Sequence, residues 1–101
     1  MRKLKYKDIG LFKQIVGKGE YKGILFINVH YYRSGEFHEV HQHTDREEIF
    51  ICFKGKGKII CNSVEEDFHE GEIAIFKPTE KHGFKADSEN PFAYICIGVK
   101  I

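Results

Sequence analysis

The stretch GEFHEVHQHTDREEIFICFKG, residues 35–55, joins a histidine- and acid-rich first half to an apolar second half. The apolar half, from Ile49 to Phe53, consists of β-branched and aromatic residues with one cysteine, which is typical of a β-strand. In the first half, His41 and His43 are two residues apart, so on a strand their side chains point to the same face. Two imidazoles on one face can share a metal ion, but paired histidines are also common on protein surfaces, so H-x-H alone leaves both interpretations open.

A carboxylate close to the two histidines would complete such a site with an oxygen ligand. Glu47 and Glu48 both follow after a short turn. Because adjacent residues on a strand point to opposite faces, only one of the two can join the histidines. The residue types alone leave that choice open.

Strand-like runs separated by turn-rich segments make up most of the remaining chain. No stretch shows a convincing helical period over eleven residues. The connections are too short for crossover helices, so the strands must pair mostly antiparallel, which predicts an all-β sandwich or small barrel. The runs are GILFINVHYY, EIFICF, GKIICN, EIAIF and FAYICIGVKI, and the turn-rich segments are RSGEF, KGKG, NSVEED, HEGE, KPTEKHG and ADSENP.

Length and charge exclude several classes of protein. With 101 residues we expect a single domain over residues 1–101, and a formal net charge of +1 argues against a nucleic-acid binder. No apolar run approaches the roughly 20 residues of a membrane helix, and we expect neither membrane association nor a signal peptide. Three widely spaced cysteines, Cys52, Cys61 and Cys96, predict reduced thiols in a cytoplasmic protein, with a ligand or nucleophile role left open, first of all for Cys52.

The run at residues 23–32 has one apolar face and one mixed face. Successive side chains of a strand alternate between faces. The mixed face turns polar toward its end, which is typical of the mouth of a ligand cavity but equally of an outer face exposed to solvent. The apolar set is Leu25, Ile27, Val29 and Tyr31, and the mixed set is Ile24, Phe26, Asn28, His30 and Tyr32.

The spacing of the opening stretch resembles the first motif of the cupin superfamily. That motif is G, five residues, H-x-H, three or four residues, E, six residues, G. From Gly35 the chain has five residues, then His41 and His43, then four residues, Glu48, six residues and Gly55. This register selects Glu48 over Glu47.

A second segment resembles the second cupin motif, which is G, five residues, P-x-G, two residues, H. Gly71 and His82 keep their spacing, whereas Lys77 and Thr79 replace the proline and the glycine. The final asparagine of the motif is also missing, with Ala86 in its place. The resemblance covers residues 35–86, about half of the chain.

The resemblance implies a small antiparallel β-barrel, also described as a double-stranded β-helix with a jelly-roll-like course, and one metal in its interior. His41, His43, Glu48 and His82 correspond to the four family ligands. Three neutral imidazoles and one carboxylate suit a divalent transition ion such as Fe, Mn, Ni, Co or Zn, and four protein ligands leave two positions on a six-coordinate metal.

Function follows less directly, because a fold does not determine an activity. The resemblance implies a metal-dependent isomerase- or lyase-type enzyme for a small oxygenated metabolite such as a sugar acid or keto acid. The alternatives are an Fe(II)-dependent dioxygenase and a non-catalytic small-molecule-binding or sensor protein. We expect a small-molecule ligand. We also expect a homodimer, which the resemblance implies and which the apolar residues on both faces of EIFICF and EIAIF favour. Candidate substrate-binding residues are His30, Tyr32, Phe50 and Phe84, with His30 or Tyr32 as a general base.

Overall fold

The computed structural model describes residue 3 and residues 11–101. The described part of the chain contains eight antiparallel strands and no helix, and hence none that is long and apolar enough to cross a membrane. The predicted all-β class is confirmed. The strands are β1 (Phe12–Val16), β2 (Ile24–Tyr32), β3 (Phe37–His41), β4 (Arg46–Cys61), β5 (Val64–His69), β6 (Ile73–Phe76), β7 (His82–Ala86) and β8 (Phe92–Lys100).

Two sheets share the long strand β4, which gives the fold its jelly-roll-like course. The first half of β4 pairs with β6 on one side and with β8 on the other, and β8 continues to β2 and β1. The second half of β4 pairs with β5 and β7, and β7 continues to β3. One strand therefore links both walls of the barrel, and alternate residues near the start of β4, among them Glu48, face its interior.

The segment KGKG, predicted as a turn, lies inside β4, and that prediction is wrong. The strand bends there and passes from one sheet to the other. Gly55 has φ = +72°, and a Cβ atom on it would lie 1.8 Å from the carbonyl oxygen of Pro91. A Cβ atom on Gly57 would lie 2.7 Å from the carbonyl oxygen of Lys85. Glycines here let the ladder continue through a bend that side chains would block, instead of ending it.

The segment NSVEED is also mostly strand. Only Asn62 and Ser63 form the turn, both with positive φ, and Val64 begins β5. The remaining acidic residues of β5 pair with β4, and their side chains are exposed. The strand was not predicted because an edge strand exposed to solvent can consist mostly of charged residues, without a clear alternation of apolar and polar positions.

An aromatic core fills the barrel interior. Its members alternate along the strands with outward-facing residues, as expected for half-buried sheets. Burial of each aromatic side chain of this core contributes about 1.5–3 kcal/mol to the free energy of folding. The core consists of Tyr32, Phe50, Cys52, Ile59, Phe68, Phe76, Phe84, Ala86, Phe92, Tyr94 and Cys96.

The sheet that contains β6, β4, β8 and β2 carries two rows of β-branched residues on its outer surface, which we call the isoleucine face. Residues paired across an antiparallel ladder lie side by side on one face. Ile73 and Ile75, at the β6 edge, are 63% and 62% exposed. One row runs Ile75, Ile49, Ile97, Ile27, and the other runs Ile73, Ile51, Ile95, Val29.

Candidate metal centre

Three strands and one loop bring the four predicted ligands together. His41 ends β3 and is paired with His82, the first residue of β7. His43 lies in the loop after β3, and Glu48 is the third residue of β4. One ligand atom from each of the four side chains lies within 4.8 Å of the others. The arrangement can hold a metal ion.

The loop carrying His43 is fastened to the turn before His82. The backbone N–H of Thr79 donates to the carbonyl oxygen of His43 at 2.6 Å. Thr79 has φ = +74°, a conformation that favours glycine. Thr79 therefore keeps the turn geometry expected at the glycine position of the motif, although its β-branched side chain strains the backbone.

Two buried polar atoms point into the cluster without a hydrogen-bond partner in the described part of the chain. They are Oε1 of Glu48 and Nε2 of His82, on side chains from residues that are 5% and 2% exposed. The two atoms lie 3.0 Å apart, and Oε1 lies 3.3 Å from Nε2 of His43. A buried polar atom without a partner costs about 1–3 kcal/mol. A cation among these atoms would satisfy both lone pairs, so the residues fit a metal.

The tautomer of His82 also suits metal binding. Its Nδ1–H donates to the carbonyl oxygen of Glu80 at 3.1 Å. A carbonyl can only accept, so Nδ1 carries a proton, and in the neutral imidazole Nε2 presents its lone pair to the cluster. A backbone acceptor of this kind orients metal-binding histidines and raises their basicity.

The protonation states of two of the ligands are those that a metal requires. Burial raises the pKa of Glu48, but His82, His43 and Arg46 together lower it more, to about 2. Burial lowers the pKa of His43 below its ordinary value, against the opposing effect of Glu48. At neutral pH the centre therefore contains a carboxylate and a neutral His43 imidazole.

Arg46 is a further residue of the site that sequence analysis missed. It lies two positions before Glu48, so both side chains face the interior. Its Nη2 donates to Nε2 of His43 at 3.0 Å, and its Nε donates to Oε2 of Glu48 at 3.4 Å. The same strand parity that places Glu48 inward would have identified Arg46.

A cavity of about 240 Å³ opens beside the ligands. Three of the four candidate substrate-binding residues line it, namely His30, Phe50 and Phe84. Tyr32 is not among the lining residues, but its hydroxyl lies 2.7 Å from the hydroxyl of Tyr94, which is. The mixed face of β2 faces this cavity, and substrate binding by any of these residues stays a prediction. The lining consists of Phe12, Phe26, Asn28, His30, His41, His43, Arg46, Glu48, Phe50, Phe84, Tyr94 and Cys96.

The three cysteines are free. Burial raises the pKa of Cys52 to about 11, and burial also raises that of Cys96. Both are therefore thiols at neutral pH, which does not favour a nucleophile or ligand role for Cys52. The Sγ atom of Cys96 lies 3.6 Å from Oε2 of Glu48 and contributes to the wall of the cavity.

Solved structures similar to this chain share its fold. A cupin protein from Bacteroides fragilis is 23% identical, with a TM-score of 0.83, over 98% of this chain and 83% of that chain. A predicted oxalate decarboxylase from Thermotoga maritima is 13% identical, with a TM-score of 0.81, over 89% of this chain and 79% of that chain. A DMSP lyase from Ruegeria pomeroyi is 17% identical, with a TM-score of 0.76, over 96% of this chain and 54% of that chain.

Sequence comparison gives the family. No curated protein matches the chain. The family model described as cupin domain matches residues 28–98, which is more than half of the chain and includes both motifs and all four candidate ligands. The chain therefore belongs to the cupin domain family.

Proposed function

We propose that this protein binds one divalent transition metal ion through His41, His43, Glu48 and His82 and acts as an isomerase- or lyase-type enzyme. Its substrate is a small oxygenated metabolite such as a sugar acid or keto acid. The observation that carries this proposal is the pair of buried, unpartnered atoms, Oε1 of Glu48 and Nε2 of His82, beside a cavity.

The charge of the ligands supports Lewis-acid chemistry. When bound, the metal would polarise a substrate carbonyl or hydroxyl oxygen. Three imidazoles and one carboxylate leave a divalent ion with a net charge of +1, which favours the negative charge that develops on such an oxygen. A single anionic ligand keeps this charge from being cancelled.

The cavity walls supply the other functions of the proposed enzyme. Phe50 and Phe84 exclude water from the reacting atoms. His30 lines the cavity and is the candidate general base, in contact with the Tyr32–Tyr94 pair, since its Nδ1 lies 3.5 Å from the Tyr32 hydroxyl. Burial raises the pKa of Tyr94 well above its ordinary value, so its hydroxyl stays protonated.

Two structural relatives support a lyase-type reaction for this fold. One is named a DMSP lyase and another a predicted oxalate decarboxylase. At 17% and 13% identity they support the reaction class only through the shared fold, and their substrates are not assigned to this chain.

Metal reconstitution tests the function. Separate samples of the metal-free protein are loaded with Fe, Mn, Co, Ni or Zn in the absence of oxygen. Each sample is then mixed with a panel of sugar acids and keto acids, with and without oxygen. NMR follows the substrate, and an oxygen electrode follows oxygen. We expect a product that forms without oxygen. Oxygen uptake with iron alone would show the dioxygenase alternative, and saturable binding without turnover would show the binding-protein alternative.

We also propose a cytoplasmic homodimer. Three free cysteines support a reducing compartment. The isoleucine face supports the dimer, because its two rows contain no charged residue from β6 to β2, and the nearest charged residues, Lys13 and Glu47, lie at its margins. Burial of this face would remove the exposed side chains of Ile73 and Ile75 from water.

A further inference from the structure

We propose that Arg46 recognises the carboxylate of the ligand, and that metal binding frees this arginine to do so. This inference rests on the proposed metal function and names a residue that determines specificity within the same cavity. The ligand class is a small hydroxy- or keto-carboxylate.

The guanidinium of Arg46 makes four contacts. Its Nε contacts Oε2 of Glu48 at 3.4 Å, and its Nη1 contacts Oδ1 of Asp45 at 3.3 Å. Its Cζ lies 5.0 Å from the centroid of the Phe26 ring, which is a cation–π contact. The third donor, Nη2, contacts Nε2 of His43 at 3.0 Å.

The contact with His43 and metal binding exclude each other. An unprotonated imidazole nitrogen has one lone pair, and Nε2 of His43 shares its lone pair with Arg46 in the structure. A metal that takes this lone pair releases Nη2. The contact between Nε and Glu48 need not break, because Oε2 faces Arg46 whereas Oε1 faces His43 and His82. Arg46 is thereby left anchored, with a free Nη2 beside the cavity.

The charge of the metal-bound cavity favours an anion. Among the described lining residues, Glu48 is the only carboxylate, and Arg46 is the only arginine or lysine. A divalent ion and one guanidinium exceed this negative charge by two, or by one when Asp45, which contacts Arg46 but does not line the cavity, is counted as well. The freed Nη2 is a charged donor that forms a strong hydrogen bond with a carboxylate oxygen, so the carboxylate of the ligand binds here.

The size and polarity of the cavity narrow the ligand class further. A volume of about 240 Å³ restricts the ligand to a small molecule. The Oδ1 atom of Asn28 is buried, lines the same cavity and has no hydrogen-bond partner in the described part of the chain. An acceptor of this kind is satisfied by a ligand hydroxyl. The cavity therefore suits a carboxylate that also carries a hydroxyl, whereas a keto oxygen, which only accepts, would leave Asn28 Oδ1 unsatisfied.

The test compares Arg46→Gln with the parent, both loaded with zinc, by isothermal titration calorimetry. The probes are 3-hydroxypropionate and pyruvate, with 1,3-propanediol and hydroxyacetone as neutral counterparts. We expect the parent to prefer the carboxylates. Arg46→Gln should bind them about tenfold more weakly or worse, since a charge-assisted pair is lost, and should bind the neutral probes as the parent does. Arg46→Lys, which keeps the positive charge but loses the contacts that position Nη2, should lie between the two.

Zinc affinity supplies an independent measurement. Because Arg46 competes for the lone pair of His43 and repels a cation, Arg46→Gln should bind zinc as tightly as the parent or a few-fold more tightly. Arg33→Gln, the same change at an exposed arginine, is the matched control and should alter neither zinc nor carboxylate binding. Circular dichroism verifies the fold of each variant.

The failure of this inference is distinguishable from failure of the proposed function. Zinc binding with equal affinity of the parent for carboxylates and neutral probes overturns the role of Arg46 and leaves the metal site standing. Weaker zinc binding by a folded Arg46→Gln also overturns it, because the arginine would then support the ligands instead of competing for one. If the parent binds no zinc or other divalent transition ion, the proposed function and this inference both fall.

Discussion

Glu48 lies directly opposite Gly98 across the β4–β8 ladder, and Glu47 lies opposite Val99. A Cβ atom on Gly98 would come within 2.3 Å of the Phe26 ring, the ring on which Arg46 lies. The missing side chain thus makes room for the ring beside the carboxylate. This register turns Glu48 toward the cluster of histidines, and Glu47, its neighbour in sequence, away from it.

Replacement of the two glutamates should therefore have unequal effects on metal binding. Glu48→Gln removes the one anionic ligand, and we expect zinc affinity to fall at least about 100-fold, since even outer-shell partners contribute 10–100-fold. Glu47→Gln is the matched control and should change zinc affinity little. Competition titration against a zinc chelator measures both. The reverse order of effects would show that the register is off by one residue.

Thr79→Gly should stabilise the protein. The φ of +74° at Thr79 strains a β-branched residue by about 1–3 kcal/mol, and glycine adopts this conformation freely. After the entropy that glycine loses on folding, we expect a gain of about 1 kcal/mol in the free energy of unfolding, measured with urea. Thr79→Ala, which keeps a Cβ atom, is the control and should gain less. Equal stability of the glycine and alanine variants would argue against strain at this position.

Alkaline pH should destabilise the protein through the buried tyrosine pair. Burial raises the pKa of Tyr32 to about 12 from an ordinary 10.0, against the opposing effect of its hydrogen bond with Tyr94. The stabilisation is complete below pH 10 and is lost as the pH rises toward 12. For Tyr32 alone, linkage gives a loss of about 1.4 kcal/mol at pH 11.

Unfolding by urea at pH 8 and pH 11 measures this loss. The parent should lose at least about 1 kcal/mol more than a Tyr32→Phe, Tyr94→Phe double variant does over the same interval. Tyr21→Phe, at an exposed tyrosine, should lose as much as the parent. A double variant that loses as much as the parent would place the alkaline sensitivity elsewhere.

The proposed dimer depends on the isoleucine face. Light scattering at micromolar concentration should give twice the mass of one chain for the parent. An Ile73→Glu, Ile75→Glu variant should be monomeric, because two charges would be buried in the interface. Val64→Glu places a charge on β5, on the other sheet, at a similarly exposed residue and should remain dimeric. A monomeric parent contradicts the proposal.

Much of the centre could be predicted from the sequence, because its ligands follow local rules. The spacing from Gly35 to Gly55, through its resemblance to the cupin motif, predicted His41, His43 and Glu48, which lie together in the structure. Strand parity separated the mixed face of β2 from the apolar face but left open whether the mixed face lines a cavity, as it does. The metal itself stays a prediction.

The features that could not be predicted from the sequence depend on contacts between segments that are distant in the chain. The bend at Gly55 is set by Pro91, 36 positions further on, so KGKG read by itself resembles a turn. The strand β5 is masked by its exposed charges. Gly98 gives room to a ring on another strand, which no local pattern records. Arg46 follows from parity, but its competition with a metal for His43 appears only when the atoms are placed.

Elemental analysis of the purified protein tests the metal centre most directly. The account predicts about one divalent transition ion per chain in the parent, and its loss in a His41→Ala, His43→Ala double variant that keeps the β-sheet signal in circular dichroism. His69→Ala, at an exposed histidine outside the cluster, should keep the metal. The same metal content in the double variant as in the parent would contradict the assignment of the site.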